Sequence, residues 1–178
     1  RIAWHFEYRP EDHDDGEKTF LGETGNFNGE DVVDIIARND ATARFIGTRL
    51  FQYFVADEID EKGEKLIADM IRSYFDSGFE IRSVLRTMFN SDFFKSEDAR
   101  FARVKNPVEL VVGAIHMAGS CQAPSASDGG RFDSSNFMGQ GLLRPPSVEG
   151  WHEGPEWLNS GSVFERVNLA AKELGDVS

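Results

Sequence analysis

The sequence predicts a mainly α-helical fold: a bundle of about six to eight helices, a β-hairpin at its N-terminal edge, and a long Pro/Gly/Trp loop before the last helix. Three observations predict it. Apolar residues recur at i, i+3 and i+4 over most of residues 29–119. The first residues instead alternate with a period of two. The stretch "GLLRPPSVEGWHEGPEWLNSGS", residues 141–162, holds too much proline and glycine for regular structure.

At the start of the chain, Ile2, Trp4, Phe6 and Tyr8 alternate with Arg1, Ala3, His5, Glu7 and Arg9, as in a strand with one buried face. Pro10 ends it. "EDHDDGE", Glu11 to Glu17, has turn chemistry, and "KTFLG" is a plausible return strand. The acidic stretch then becomes the hairpin tip. After Gly29 the period turns helical. Asn28 is placed as an N-cap, with acids in the first turn and Val32, Val33, Ile35 and Ile36 as the apolar face. Asp40 caps a second helix, Ala41 to Val55, with Phe45, Ile46, Leu50, Tyr53 and Phe54 inward. A third runs from Lys62 to Asp76 on Leu66, Ile67, Met70, Ile71, Tyr74 and Phe75, with Gly78 beyond its end. A fourth covers Glu80 to Phe89, and "NSDFF" starts a short fifth.

"KNPVELVVGAIHMAG" carries the clearest helix start: Asn106 caps, Pro107 takes the first helical position and Glu109 lies in the first turn. A short helix around Arg131 to Met138 and a last one from Ser162 to Leu174 complete the chain. It reads as one domain, 1–178: hairpin 1–28, helical core 29–119, linker loop 120–130, then 131–178 with the Trp loop and terminal helix. The chain opens without Met and inside a strand-like pattern, which predicts the C-terminal fragment of a longer protein.

Composition narrows the function classes. Nineteen basic residues face 31 acidic ones, for a net charge of −12. That speaks against nucleic acid, which needs a basic stripe, and against an anionic membrane surface. No apolar run is long enough to span a membrane. Fifteen Phe are expected to fill the core. The single Cys121 excludes a disulfide within these residues, and it follows a helix rather than preceding one. Nucleophile-elbow, phosphate-loop and dinucleotide motifs are missing, and no cofactor is expected.

Two stretches concentrate chemistry. The first is Glu11–Glu17, with one His, three Asp and two Glu in seven residues. Calcium takes such oxygens on a tight loop. With Gly16 at the sixth position of an EF-hand, however, His13 falls on the third and Gly22 on the twelfth, so that register fails. A metal-binding hairpin at His13, Asp14 and Asp15 remains one reading; a turn whose Asp side chains bond nearby backbone is the favoured one. The second stretch is "GWHEGPEW", where Trp151 and Trp157 flank His152, Glu153 and Glu156, with Glu149 just before. Aromatic platforms with paired carboxylates suit a saccharide-binding or hydrolytic site. The favoured reading is that both indoles pin an irregular loop to the bundle. No two histidines have helical ligand spacing, and His116 reads as a partly buried packing residue.

In their order, "HDDGEKTFLGETGNFNGEDVVDII", "ATARFIGTRLFQYFV", "IRSVLRTMFNSDFF", "VKNPVELVVG" and "GQGLLRPPSVEGWHEGPEWLNSGSVFERVN" resemble the bacterial domain of unknown function 1800 family over nearly the whole chain. His13, Asp14, Gly16, Lys18, Thr19, Phe20, Leu21 and Gly22 match its first motif. Pro145, Pro146, Gly150, Trp151, Gly154 and Trp157 match its last, while His152 departs from the small or proline-like residue of the pattern. The resemblance implies no catalytic residue. It implies a periplasmic or extracellular protein, whose partners would be its own N-terminal portion or another exported protein. The resulting expectation is a structural or interaction domain, with the candidate residues His13, Asp14, Lys18, Trp151, His152, Glu153 and Trp157.

Overall fold

The computed structural model describes residues 7–119 and 129–175, and these group into two compact units. The first comprises Arg1–Phe51 and Glu61–Ser91; the second comprises Gln52–Asp60 and Asp92–Ser178. Seven α-helices and one two-stranded sheet are present among the described residues. No helix among them is long and apolar enough to cross a membrane.

The first unit begins with β1 (Lys18–Phe20) and β2 (Glu23–Gly25), paired antiparallel with Thr19 opposite Thr24. Leu21 and Gly22 form the two-residue turn, both with positive φ (49° and 88°), the combination that matches the twist of paired strands. The hairpin therefore lies one strand later than the sequence suggests. "KTF" is the outgoing strand and not the return strand, and "EDHDDGE" is not the tip. Pro10–Asp12 form a 3-10 turn instead. Register explains the error: a two-residue turn at Leu-Gly closes a hairpin within eight residues, without help from the earlier segment. Of the expected first strand, residues 1–6 lie outside the described residues.

Asn28 caps α1 (Gly29–Arg38): its side chain accepts from the Glu30 and Asp31 amides, while the Asp31 carboxylate accepts from the Asn28 amide. α2 (Asp40–Phe54) begins one residue earlier than expected. Asn39, not Asp40, presents its side-chain oxygen to the helix start, at 2.8 Å from the Ala41 amide. α3 (Glu61–Asp76) and α4 (Ile81–Asn90) follow and pack on each other. Leu66, Ile67, Met70, Tyr74, Val84 and Met88 are buried as their spacing predicts. Tyr74 donates its hydroxyl to the Ala37 carbonyl at 3.0 Å, which ties α3 to the end of α1.

α2 departs from its sequence reading. Its buried face within this unit is Ala43, Gly47 and Phe51, whereas Phe45, Tyr53 and Phe54 are exposed. Small residues let α3 come close: a Cβ on Gly47 would stand 3.5 Å from the Ile67 side chain. Large apolar residues mislead here because close helix packing selects for size as well as polarity. Val33, Ile36, Ile81 and Phe89 are exposed as well, and of the described phenylalanines Phe51 alone is buried. "NSDFF" forms no helix; a 3-10 turn at Glu97–Ala99 comes after it.

In the second unit α5 (Pro107–Met117), α6 (Gly129–Phe137) and α7 (Ser160–Leu174) pack on one another. Val111, Ala114, Met138 and Leu169 form its core cluster, with Leu110 and Ile115 against it. Asn106 and Glu109 close a capping box at the start of α5. Asn159 and Ser162 do the same for α7, so Ser162 is the third helical residue and not the first. His116 is exposed and not partly buried. The linker 120–130 and Cys121 lie for the most part outside the described residues.

Gly47 yields a prediction with opposite signs for two substitutions. Gly47→Ala places a methyl in ordinary contact with Ile67 and gains helix propensity, so stability should hold or rise by about 0.5–1 kcal/mol. Gly47→Leu should lose about 1–3 kcal/mol by overpacking. Urea unfolding midpoints of the two variants check both signs.

Candidate functional site

The first candidate is the loop that leads into the hairpin. After the 3-10 turn the His13 amide donates to the Pro10 carbonyl at 3.2 Å, and the chain extends. Asp14 turns its carboxylate back onto the Gly16 amide at 2.8 Å, a local turn that aspartate favours. Lys18 then reaches back with its ammonium to the Asp14 carbonyl, to the Gly16 carbonyl at 3.1 Å and to the Asn26 side-chain oxygen at 3.4 Å. Three donors meet three acceptors, so the lysine closes the loop on itself.

His13 is the most enclosed member, its side chain only 15% exposed. Nδ1 stands 3.0 Å from Asp15 Oδ1, and Nε2 stands 3.2 Å from the Phe27 carbonyl oxygen. The Tyr8 ring lies against it, with centroids 5.7 Å apart. Phe27 directly precedes Asn28, the cap of α1, so His13 turns toward the helix entry rather than outward. The Asp15 bond, then the Phe27 carbonyl, raise the His13 pKa above its ordinary value. The same His13 bond lowers the Asp15 carboxyl below the usual carboxylate range. Asp14 and Asp15 each commit an oxygen to a bond within the loop. Among the described residues, no group of three or more His, Cys, Asp or Glu is placed to hold a metal ion.

The second candidate is the Trp loop, within the second unit. Ser147 and Gly150 bridge in a tight turn, and Trp151 follows, part-buried, with its Nε1 out of water and unbonded. His152 Nδ1 meets Glu156 Oε2 at 2.7 Å on an exposed surface. The His152 ring stands edge-on to Trp157, 6.0 Å away at 84°. Gly154–Trp157 form a 3-10 turn that drives the Trp157 indole inward, to 4% exposure, against Gly139. The Trp157 carbonyl accepts from the Ser162 hydroxyl at the start of α7. A saccharide platform requires an open indole face. Trp157 has none, since it is part of the core.

Asp57, which no sequence motif singles out, is the partner of this loop. Its amide donates to the Ala102 carbonyl at 3.1 Å, and its carboxylate accepts from the Val104 amide at 2.6 Å. Gly154, with φ +55°, lies over it: a Cβ there would stand 3.0 Å from Asp57 Cγ. Glycine suits both the backbone angle and the close approach. The structure thus brings together His152, Glu156 and Trp157, and joins Gly154 to Asp57. Glu153 is exposed.

A third feature was not foreseen: an open polar groove of about 500 Å³ in the first unit, lined by Asp69, Arg72, Ser73, Asp76, Ser77, Ser83 and Thr87. Arg72 pairs with Asp69 at 3.2 Å. Ser83 and Thr87 belong to the motif "IRSVLRTMFNSDFF", and with Ser73 they sit on helix positions that look like ordinary solvated faces in the sequence.

Compared with known proteins, residues 3–175 match the family model described as protein of unknown function DUF1800. The chain belongs to the DUF1800 family. No curated protein and no solved structure matches it. The matched span takes in both loops.

Gly154→Ala in this DUF1800 chain should cost about 1–3 kcal/mol, from a strained backbone and a crowded Asp57. Trp157→Ala should cost about 3–5 kcal/mol, as for any large buried aromatic. Chemical denaturation followed by tryptophan fluorescence and by circular dichroism measures both.

Proposed function

We propose that this DUF1800 chain is a structural and interaction module of an exported bacterial protein, and that its motif residues do no chemistry. One observation carries the reading: the polar side chains of the first motif are bonded to backbone and side chains of their own N-terminal segment, and Trp157 of the last motif is buried. Lys18 and both ring nitrogens of His13 are engaged, Asp14 holds Gly16, and Trp157 is core. A catalytic group needs a free proton site or lone pair facing a cleft. Export rests on the family resemblance alone.

The interaction half rests on surface chemistry. Leu21, Phe101 and Leu143 have positive φ and are 59%, 91% and 87% exposed. A solvated left-handed turn ordinarily takes Gly, Asn or Asp. Val163, Phe164 and Val167 also stand exposed along α7. Apolar surface of this kind supports contact with another protein, either a further portion of the same protein or a second exported one. The net charge of −12 supports a protein partner over nucleic acid.

The purified full-length protein should show no turnover above blank on chromogenic glycosides and esters. Steady turnover abolished by Glu153→Gln or His152→Ala would overturn the reading. Cell fractionation tests export: the protein should be found in the envelope or the medium, and retention in the cytosol would count against it.

A further inference from the structure

We propose that the His-Asp loop is a protonation-controlled latch, in which the doubly bonded His13 ring ties the loop to the backbone entry of α1 and loss of one proton releases that tie. The geometry demands two donors. The Phe27 carbonyl oxygen, 3.2 Å from Nε2, carries no proton and can only accept. The Asp15 carboxylate, 3.0 Å from Nδ1, accepts in the same way once ionised. A neutral imidazole has one N–H and one lone pair, so it can satisfy only one of these partners. The charged ring satisfies both.

When the ring loses a proton, the remaining one stays at Nδ1, because the bond to a carboxylate is the charge-assisted one. The Nε2 lone pair then faces the Phe27 carbonyl, and two acceptors repel. The bond that breaks is therefore the one that reaches α1, through the residue before its cap, Asn28. The bond within the loop survives.

The other charged groups around the ring do not supply a substitute. Lys18 opposes the positive charge but is held by the Asp14 and Gly16 carbonyls and by Asn26. Asp14 is occupied by the Gly16 amide. Arg9 faces Asp12 and Glu7 at 3.9 and 3.7 Å. Tyr8 contributes a ring face.

The sign follows from the two shifts. His13 is raised in the folded chain, so its contribution is full below its ordinary 6.5 and is lost as pH rises through the folded value. Asp15 is lowered, so its contribution is present above its ordinary 3.8 and is lost as pH falls through the folded value. The latch is closed between those limits and opens on the alkaline side through His13.

The experiment follows the ring proton signals of the native protein by NMR from about pH 5 to 9 in buffer with EDTA, beside Asp15→Asn and His13→Phe. The His13 signal, assigned by its loss in His13→Phe, should titrate above 6.5 and move down toward that value in Asp15→Asn. The gap in unfolding midpoint between the native protein and His13→Phe should be widest at the acid end and shrink as pH rises. A ring titrating at or below 6.5, a gap that stays flat with pH, or a titration that shifts when EDTA is omitted would each overturn the latch. If His13→Phe does not fold, the Asp15→Asn spectra assign the signal and decide the matter.

Discussion

Glu109 accepts from the Asn106 amide and, through both oxygens, from Arg103 at 2.7 and 2.8 Å. Arg103 in turn donates to the Tyr53 carbonyl and stands over the Tyr53 ring at 5.3 Å. One part-buried carboxylate thus starts α5 and, through one guanidinium, holds the segment that precedes it. Other side chains do similar work nearby. Gln140, buried, accepts from the Val108 amide at 2.8 Å; Asp57 accepts from Val104; Arg166 donates to the Lys105 carbonyl at 3.0 Å. Backbone groups outside helices and strands still need partners when water is excluded, and leaving one unmade costs more than making it gains. The second unit depends on side chains to meet that requirement.

The same constraint shapes the first unit. Lys18 serves the carbonyls of Asp14 and Gly16, and His13 serves that of Phe27. These residues carry the chemistry that draws the eye in the sequence, yet their reactive atoms are turned onto backbone. A dense set of ligand-type side chains and a self-bonded turn look alike in one dimension. What separates them is whether the lone pairs converge on a common point, and here they diverge.

Some of the architecture was legible because it is local. Helix caps at Asn28 and Asn106, the first-turn acids that close their boxes, and the periodic faces of α3 and α4 rest on neighbours within four residues. The family motifs were legible as an ordered set over nearly the whole chain. The hairpin's existence was legible as well, but its register was not. Two short candidate strands preceded the Leu-Gly turn, and alternation alone does not say which pair closes. In α2, polarity pointed to Phe45 and Tyr53, while the buried positions are Ala43, Gly47 and Phe51, with Gly47 close to Ile67 of α3.

The sequence by itself determined the helical class, the capped starts of α1 and α5, and the family, since each depends on residue order over short spans. Tertiary structure alone decided the roles of His13, Asp57 and Trp157. His13 answers to a backbone carbonyl fourteen residues away, Asp57 to an amide at Val104 and a glycine at 154, and Trp157 to the space beside Gly139. A carbonyl oxygen is present at every residue and leaves no mark in the sequence. Only the folded backbone says which one a side chain will meet.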